Sequence, residues 1–302
     1  MLTVNSIDGA IKQAADLKRR GLTSVWLPQI FGLDALTTLA VIGREVPDIE
    51  LGTAVIPTYP RHPQALAMQA LTTQAAIGNR LALGIGLSHQ LVIEGMYGMS
   101  FDKPARHMRE YLSILNPLLH GENASFSGDT LTWRGMGPLD VAGAEPPTLL
   151  LAALAPRMLE LAGTQADGTI TWMTGPSTVG DHIVPSITAA AKAAGRAAPR
   201  VVVGLPVSVT ANPDAARESA SNVFAIYGQL PSYRAMLDRE GAAGPADVAI
   251  VGDENTVGKE IQRVFDSGAT DFIAAVFGSP EEQSHTLDVL TQNSYSAKRA
   301  TR

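Results

Sequence analysis

Six histidines and no cysteine bound the chemistry open to this chain. Without a thiol there is no cysteine nucleophile, no Cys-ligated zinc or iron–sulfur cluster and no disulfide. His62, His107, His120, His182 and His285 show no HxxxH or HExxH spacing, so no metal site is expected. His89 differs by its place: it ends Gly84-Ile85-Gly86-Leu87-Ser88-His89, just past the C-terminal end of an apolar strand. An imidazole there can exchange a proton near neutral pH. The same residue also reads as a loop histidine bonded to backbone, and both readings stand at this point. Two glycines after a strand begin like a dinucleotide fingerprint, but His89 stands where the third glycine belongs. Gly86-Leu87-Ser88-His89-Gln90 likewise fails as a nucleophile elbow, because Gln90 replaces the closing glycine.

Two further segments could meet an anion. In Leu154-Ala155-Pro156-Arg157-Met158, small residues precede a proline at a first helical position, which leaves backbone N–H groups free. Met173-Thr174-Gly175-Pro176 is similar, small and hydroxylated before a proline. Each also reads as an ordinary turn. Trp26 and Trp172 are candidate stacking surfaces or core aromatics.

The elements that must position these groups follow a βα rhythm. Strands are expected at Ser24–Pro28, Ile49–Pro57, Arg80–Leu87, Thr148–Leu154, Gly168–Met173, Arg200–Thr210 and Thr270–Gly278, with a short first strand at Met1–Val4. Their runs are apolar throughout, as in strands covered on both faces, and eight of them fit an α/β fold of the (β/α)8 TIM-barrel class better than an open doubly wound sheet, which periodicity alone leaves open. Ser6, Pro63, Pro156 and Asn212-Pro213-Asp214 are helix start signals. Ser125 to Trp133 predicts a small hairpin about Gly128-Asp129, and Gln229 to Asp253 predicts a partly helical excursion. The segment from Pro63 to Ile77 is apolar on more than one face, which predicts a homodimer that buries it. No linker divides residues 1–302, so a single domain is expected.

Composition narrows the partners. At 45% hydrophobic and 17% charged, with a net charge of −6, the chain is globular in type and carries no basic patch for nucleic acid. There is no signal-peptide pattern and no apolar run long enough to span a membrane, so a cytoplasmic protein with a small-molecule substrate is expected.

The sequence resembles the luciferase-like monooxygenase superfamily, especially its actinobacterial coenzyme F420-dependent oxidoreductases. The resemblance is carried by Ser24-Val25-Trp26-Leu27-Pro28, Leu51-Gly52-Thr53-Ala54-Val55 with Arg61-His62-Pro63, and Arg80-Leu81-Ala82-Leu83-Gly84-Ile85-Gly86. Arg109-Glu110-Tyr111-Leu112 and Ala166-Asp167-Gly168 follow in the family's order.

The resemblance implies a deazaflavin (coenzyme F420) whose tricycle lies over a bulged strand at Ala54 and Val55, with a non-prolyl cis peptide between them. It implies phosphate-tail contacts at Ala155, Pro156, Arg157, Met173, Thr174 and Gly175. His89 falls where related sugar-phosphate dehydrogenases carry a glutamate acid/base, and Gln29 falls near an aspartate–histidine pair of those relatives. Hydride exchange with an organic substrate, His89 moving the proton, is the leading reading. An FMN-dependent monooxygenase of the same fold and a noncatalytic cofactor-binding barrel remain alternatives. The short first strand departs from the family's fuller opening strand, which implies a more open pocket or a substitute segment.

Overall fold

The computed structural model describes residues 1–135 and 137–292, in two compact units. The first unit comprises Leu2–Ala152 with Gln165–Asp167, and the second comprises Met1, Ala153–Thr164 and the described residues from Gly168 onward.

In the first unit the chain runs α1 (Ile7–Arg19), β1 (Ser24–Leu27), α2 (Ala35–Glu45), β2 (Glu50–Thr53), β3 (Ile56–Pro57), α3 (Pro63–Ile77) and β4 (Leu81–Gly86). It continues through α4 (Gln90–Gly95), α5 (Pro104–Leu119), β5 (Ser125–Ser127), β6 (Thr132–Arg134) and β7 (Thr148–Leu151). β1, β2, β4 and β7 pair in that order, all parallel, and β3 adds to β4. Parallel pairing puts the segments that leave β1, β3, β4 and β7 at one edge of the sheet. β4 is buried along its whole length, as its unbroken apolar run requires.

The start signals act as expected. Ser6 Oγ accepts the Gly9 amide to cap α1, and Pro63 opens α3. The hairpin forms where its turn residues put it, β5 pairing antiparallel with β6. Met1–Val4, by contrast, builds no ladder: Leu2 is buried and donates one backbone bond to Trp26 O at 2.8 Å.

The wide apolar surface of α3 has a largely internal cause. Leu66, Ala67, Ala70, Leu71 and Ile77 are buried, and α3 packs on α2, α5 and β4. Ala65 and Met68 stay exposed. At the N-terminal edge of the sheet the Arg80 guanidinium donates to the carbonyls of Ile77, Val46, Ile49 and Gly43, tying the ends of α2 and α3 to β4. The Arg80 donors thus satisfy carbonyls at the ends of α2 and α3 and the Ile49 carbonyl just before β2.

The second unit runs α6 (Pro156–Gln165), β8 (Gly168–Trp172), α7 (Pro176–Thr178), α8 (Val184–Ala193), β9 (Arg200–Val209) and α9 (Pro213–Val223). After it come α10 (Pro231–Glu240), β10 (Ile250–Gly252), α11 (Glu254–Asp266), β11 (Asp271–Val276) and α12 (Pro280–Gln292). β9 is the hub: β8, β10 and β11 all pair with it in parallel. The excursion from Gln229 to Asp253 is helical in α10, but its last residues form β10, a strand not expected from the sequence. Three residues are too few for a periodic signal.

β2 and β3 are two parts of one run against β4. Gly52 pairs with Ala82 and Ile56 with Ile85, so four steps on one side face three on the other. One residue is extra, which is a bulge. Within it the Ala54–Val55 peptide is cis. Thr53 Oγ1 fills the interrupted ladder, donating to Gly84 O at 2.8 Å and accepting from Gly84 N at 2.9 Å. A Cβ on Gly84 would lie 2.1 Å from Thr53 O. Because that neighbour is backbone, Gly84→Ala should cost roughly 2–3 kcal/mol of stability. Urea unfolding checks this, and an unchanged midpoint would mean that the bulge relaxes freely.

Candidate active site

The bulge supplies a small apolar ledge. Thr53 and Ile56 are buried, whereas Ala54 and Val55 between them are partly exposed. Val55 is backed from behind: a Cβ on Gly86 would come within 2.8 Å of Val55 Cγ2 and 3.0 Å of Ala152 Cβ. Gly84 and Gly86 are therefore explained by the close approach of the bulge to β4, without a dinucleotide.

His89 takes the N-cap position of α4, and its carbonyl accepts the amides of Val92 and Ile93. Ser88 before it has φ of 60°, which turns the chain sharply out of β4. The imidazole is half-buried and makes no side-chain cap bond. Burial pushes its pKa below the ordinary histidine value, so the ring is neutral at pH 7. The structure thus gives His89 the charge state of a proton acceptor.

Gln29 leaves β1 at the same edge of the sheet, and its Oε1 accepts the Ala35 amide at 2.7 Å. It closes the N-terminus of α2 together with Asp34, which caps Thr37. Asp34 also takes Arg61 at 2.5 Å and Gln69 at 3.0 Å. Burial raises the Asp34 carboxyl, but bonds from Thr37 and the Arg61 charge outweigh this and hold it below the usual range. The ion pair fastens the loop after β1 to the start of α3.

A buried aromatic group lies beyond β3. Tyr59 stacks on His107 with rings 4.0 Å apart and on Phe101 at 5.3 Å. Thr58 Oγ1 lies 3.1 Å from His107 Nε2. Burial lowers the His107 pKa to about 4, against an opposing pull from Glu110, so this ring is neutral and structural. The hydroxyls of Tyr59 and Tyr111 are buried without a partner. The sequence reading gave these residues no role, because Thr58 and His107, which share the hydrogen bond, lie 49 positions apart.

In the second unit the two expected anion loops differ. Ala155, Pro156 and Arg157 open α6 and are exposed. Leu154 O, just before them, accepts His182 Nε2 at 2.8 Å. This exposed turn, with its cation, is a donor set that fits a phosphate tail. Met173, Thr174 and Gly175 are buried, and the helical turn after them already holds an anion of the chain's own. The Glu240 carboxylate accepts the amides of Ser177 at 3.1 Å and Thr178 at 2.7 Å. A Cβ on Gly175 would lie 2.3 Å from that carboxylate. Trp172 meets Phe224 and Tyr227 edge-on, in the core role open to it from the sequence. Among the described residues no group of three or more acidic or histidine side chains could hold a metal.

Comparison with known proteins now decides the family. The model of the luciferase-like monooxygenases matches residues 1–295. The chain belongs to that family. It is similar to a 5,10-methylenetetrahydromethanopterin reductase of Methanolobus tindarius, 29% identical over 235 residues, 76% of this chain and 71% of the relative. The structure of a coenzyme F420-dependent tetrahydromethanopterin reductase from Methanopyrus kandleri matches with a TM-score of 0.78 at 21% identity, over 95% and 94% of the two chains. An oxygenating diketocamphane monooxygenase component from Pseudomonas putida, in complex with FMN, matches with a TM-score of 0.73 at 16% identity, over 95% and 91%. The fold is therefore the luciferase-like (β/α)8 class expected from the sequence. Among the described residues no helix is long and apolar enough to cross a membrane.

Glu110 on α5 holds the turn of the hairpin. Its carboxylate accepts the amides of Asp129, Thr130 and Leu131 and the Thr130 hydroxyl, at 2.6–3.0 Å. Burial raises this carboxyl, but the bonds from Thr130, Asp129 and Leu131 outweigh burial and hold it below the usual range. A depressed carboxylate stabilises the fold above its unfolded pKa and loses that contribution as pH falls through the folded value. The hairpin β5–β6 should accordingly stay clamped at neutral pH and loosen only below about 4.3. Trp133 fluorescence against pH reads this directly, and Glu110→Gln should remove the step.

Proposed function

We propose that the chain is a coenzyme F420-dependent oxidoreductase, one luciferase-like domain over residues 1–302, that exchanges a hydride with a small organic substrate in the cytoplasm. The observation that carries the reading is the ledge of Ala54 and Val55, apolar, partly exposed and backed by Gly86, at the same strand-end edge as a neutral His89. When bound, the deazaflavin supplies or accepts the hydride at C5. Ala54 and Val55 form the floor for the tricycle, and Gln29, fixed by its bond to Ala35, lies beside it. Ala155, Pro156 and Arg157, with Met173, Thr174 and Gly175, are assigned to the phosphate tail. The exposed Arg157 turn is the more ready of the two, because Glu240 fills the turn after Gly175.

His89 moves the proton that accompanies the hydride. Neutral at pH 7, the imidazole accepts it from a substrate hydroxyl in the oxidising direction; as imidazolium it returns it in the other. The similarity to the methanogen reductases supports the deazaflavin, while the FMN-containing structural relative keeps FMN as the alternative cofactor.

Titration of the purified protein with each cofactor tests this reading: the deazaflavin should bind at least about tenfold more tightly than FMN. Equal affinities would remove the preference.

His89→Ala should lower turnover about 10²-fold while leaving deazaflavin affinity within a few fold. A depressed pKa keeps the base neutral as pH falls through 6.5, so in the oxidising direction the acidic limb of kcat/KM should lie below about 6.5. A limb at or above that value, or unchanged turnover in the variant, would return His89 to a structural part.

A homodimer through α3 completes the proposal. Its support is the face left outside, where Met68 is 45% and Val41 of α2 is 37% exposed. Sedimentation should give a dimer at micromolar concentration, and Met68→Lys should shift it toward monomer.

A further inference from the structure

Apart from Val41 and Met68 on α2 and α3, the large apolar side chains that the described residues of the first unit leave in water lie on segments leaving its strand ends. From them we infer the class of substrate: a neutral, largely apolar molecule, without phosphate or carboxylate. The inference rests on the oxidoreductase reading above and adds the character of the molecule on which His89 acts.

α4 and the turns after it form a small cap continuous with His89. Ile93 is fully buried beneath it. Met96 N and Tyr97 N donate to Val92 O, and Met99 N donates to Ile93 O at 3.0 Å. Phe101 closes the cap, its amide on Glu94 Oε1 and its ring against Tyr59. The cap is thus an ordered element, and what it turns outward is apolar: Leu91 is 66% and Met96 59% exposed, with Tyr97 and Met99 beside them in sequence also exposed. At the same edge of the parallel sheet the loop after β1 turns out Ile30 and Phe31. Scattered exposed apolar residues need no explanation, but such a concentration beside a catalytic group marks a binding surface.

Charge selects the occupant. From Leu87 to Phe101 the only charged residue is Glu94. Its carboxylate is bonded to Gln90 Nε2 at 2.8 Å and to Phe101 N at 3.2 Å. In the loop after β1 the one charge is Asp34, and Arg61, the one cation between Thr58 and His62, is paired with it. His89 itself is held neutral by burial. The next cation along the chain is Lys103, at the start of α5. An anionic head group brought to this face would lose its hydration without gaining a counter-charge. An alkyl or aryl group would instead cover apolar surface that is now wet.

Ligands sharing an eight-carbon chain test the inference: 2-octanol and 2-octanone against octanoate and octyl phosphate, with acetone as the short control. Binding to the full chain, with and without the deazaflavin, is followed by calorimetry, and the deazaflavin itself by its fluorescence. The two neutral eight-carbon ligands should bind at least about tenfold more tightly than either anion and than acetone. Leu91→Asp and Met96→Asp, both at outward positions, should each weaken 2-octanone at least about tenfold while deazaflavin affinity stays within about threefold. Equal affinity across head groups, or preference for an anion, overturns the inference. So does a Leu91→Asp variant that changes sedimentation but not 2-octanone binding, since the patch would then be a contact between copies. If the deazaflavin binds and none of the eight-carbon ligands does, this inference alone falls. If neutral ligands bind in the expected order and the deazaflavin does not bind, the cofactor reading falls instead.

Discussion

Thr53 gives its hydroxyl proton to the Gly84 carbonyl and takes the Gly84 amide on the same oxygen, and the arrangement of the first unit's strand ends follows from this pair. A bulge inserts a residue and leaves ladder groups unpaired. In a buried strand such groups are costly unless bonded. The threonine side chain replaces the missing backbone partners, so the chain can interrupt its strand at Ala54 and Val55 and resume pairing at Ile56. The glycines follow from the same constraint. Gly84 has no room for a side chain against Thr53 O, and Gly86 has none against Val55.

Around that ledge the unit fastens its loops with carboxylates whose charges are answered locally. Asp34 gathers Thr37, Gln69 and Arg61; Glu110 gathers the turn of the hairpin. In the second unit Glu240 does the same at the turn after Gly175. Charge-assisted bonds to several amides are stronger than neutral ones and fix a loop in one position. Their consequence is that Asp34, Arg61 and Glu110 in the first unit and Glu240 in the second are committed to structure. The strand-end edge of the first unit carries exposed apolar side chains and, at His89, an imidazole that burial holds neutral. That is a suitable setting for moving a hydride and a proton, which requires placement and exclusion of water more than added charge.

Solved structures of the same fold differ in cofactor, one being a coenzyme F420-dependent reductase and another a complex with FMN. A shared fold leaves the chemistry to local groups. In the proposed reading of this chain the ledge and His89 are the groups to which that chemistry is assigned.

The sequence by itself determined the βα rhythm, the class of fold, the hairpin and most helix starts, because each depends on residues close in the chain: apolar runs, a proline at a first turn, a glycine-aspartate turn. It also placed the bulge and the cis peptide at Ala54–Val55, through five motifs that resemble the family in register. Met1–Val4 and β10 escaped because three or four residues carry no period and their state depends on the neighbouring strand. The tertiary structure alone decided which residues fasten the loops. Asp34 with Arg61, Thr58 with His107, Glu110 with Asp129 and Glu240 with Thr178 are separated by 27, 49, 19 and 62 positions. It also showed that α3 is apolar mainly because α2 and α5 cover it, and that the turn after Gly175, which reads as an anion site, already holds a carboxylate of the chain. A hydrogen bond between distant residues depends on the backbone path that joins them, and no local pattern of residue types records that path.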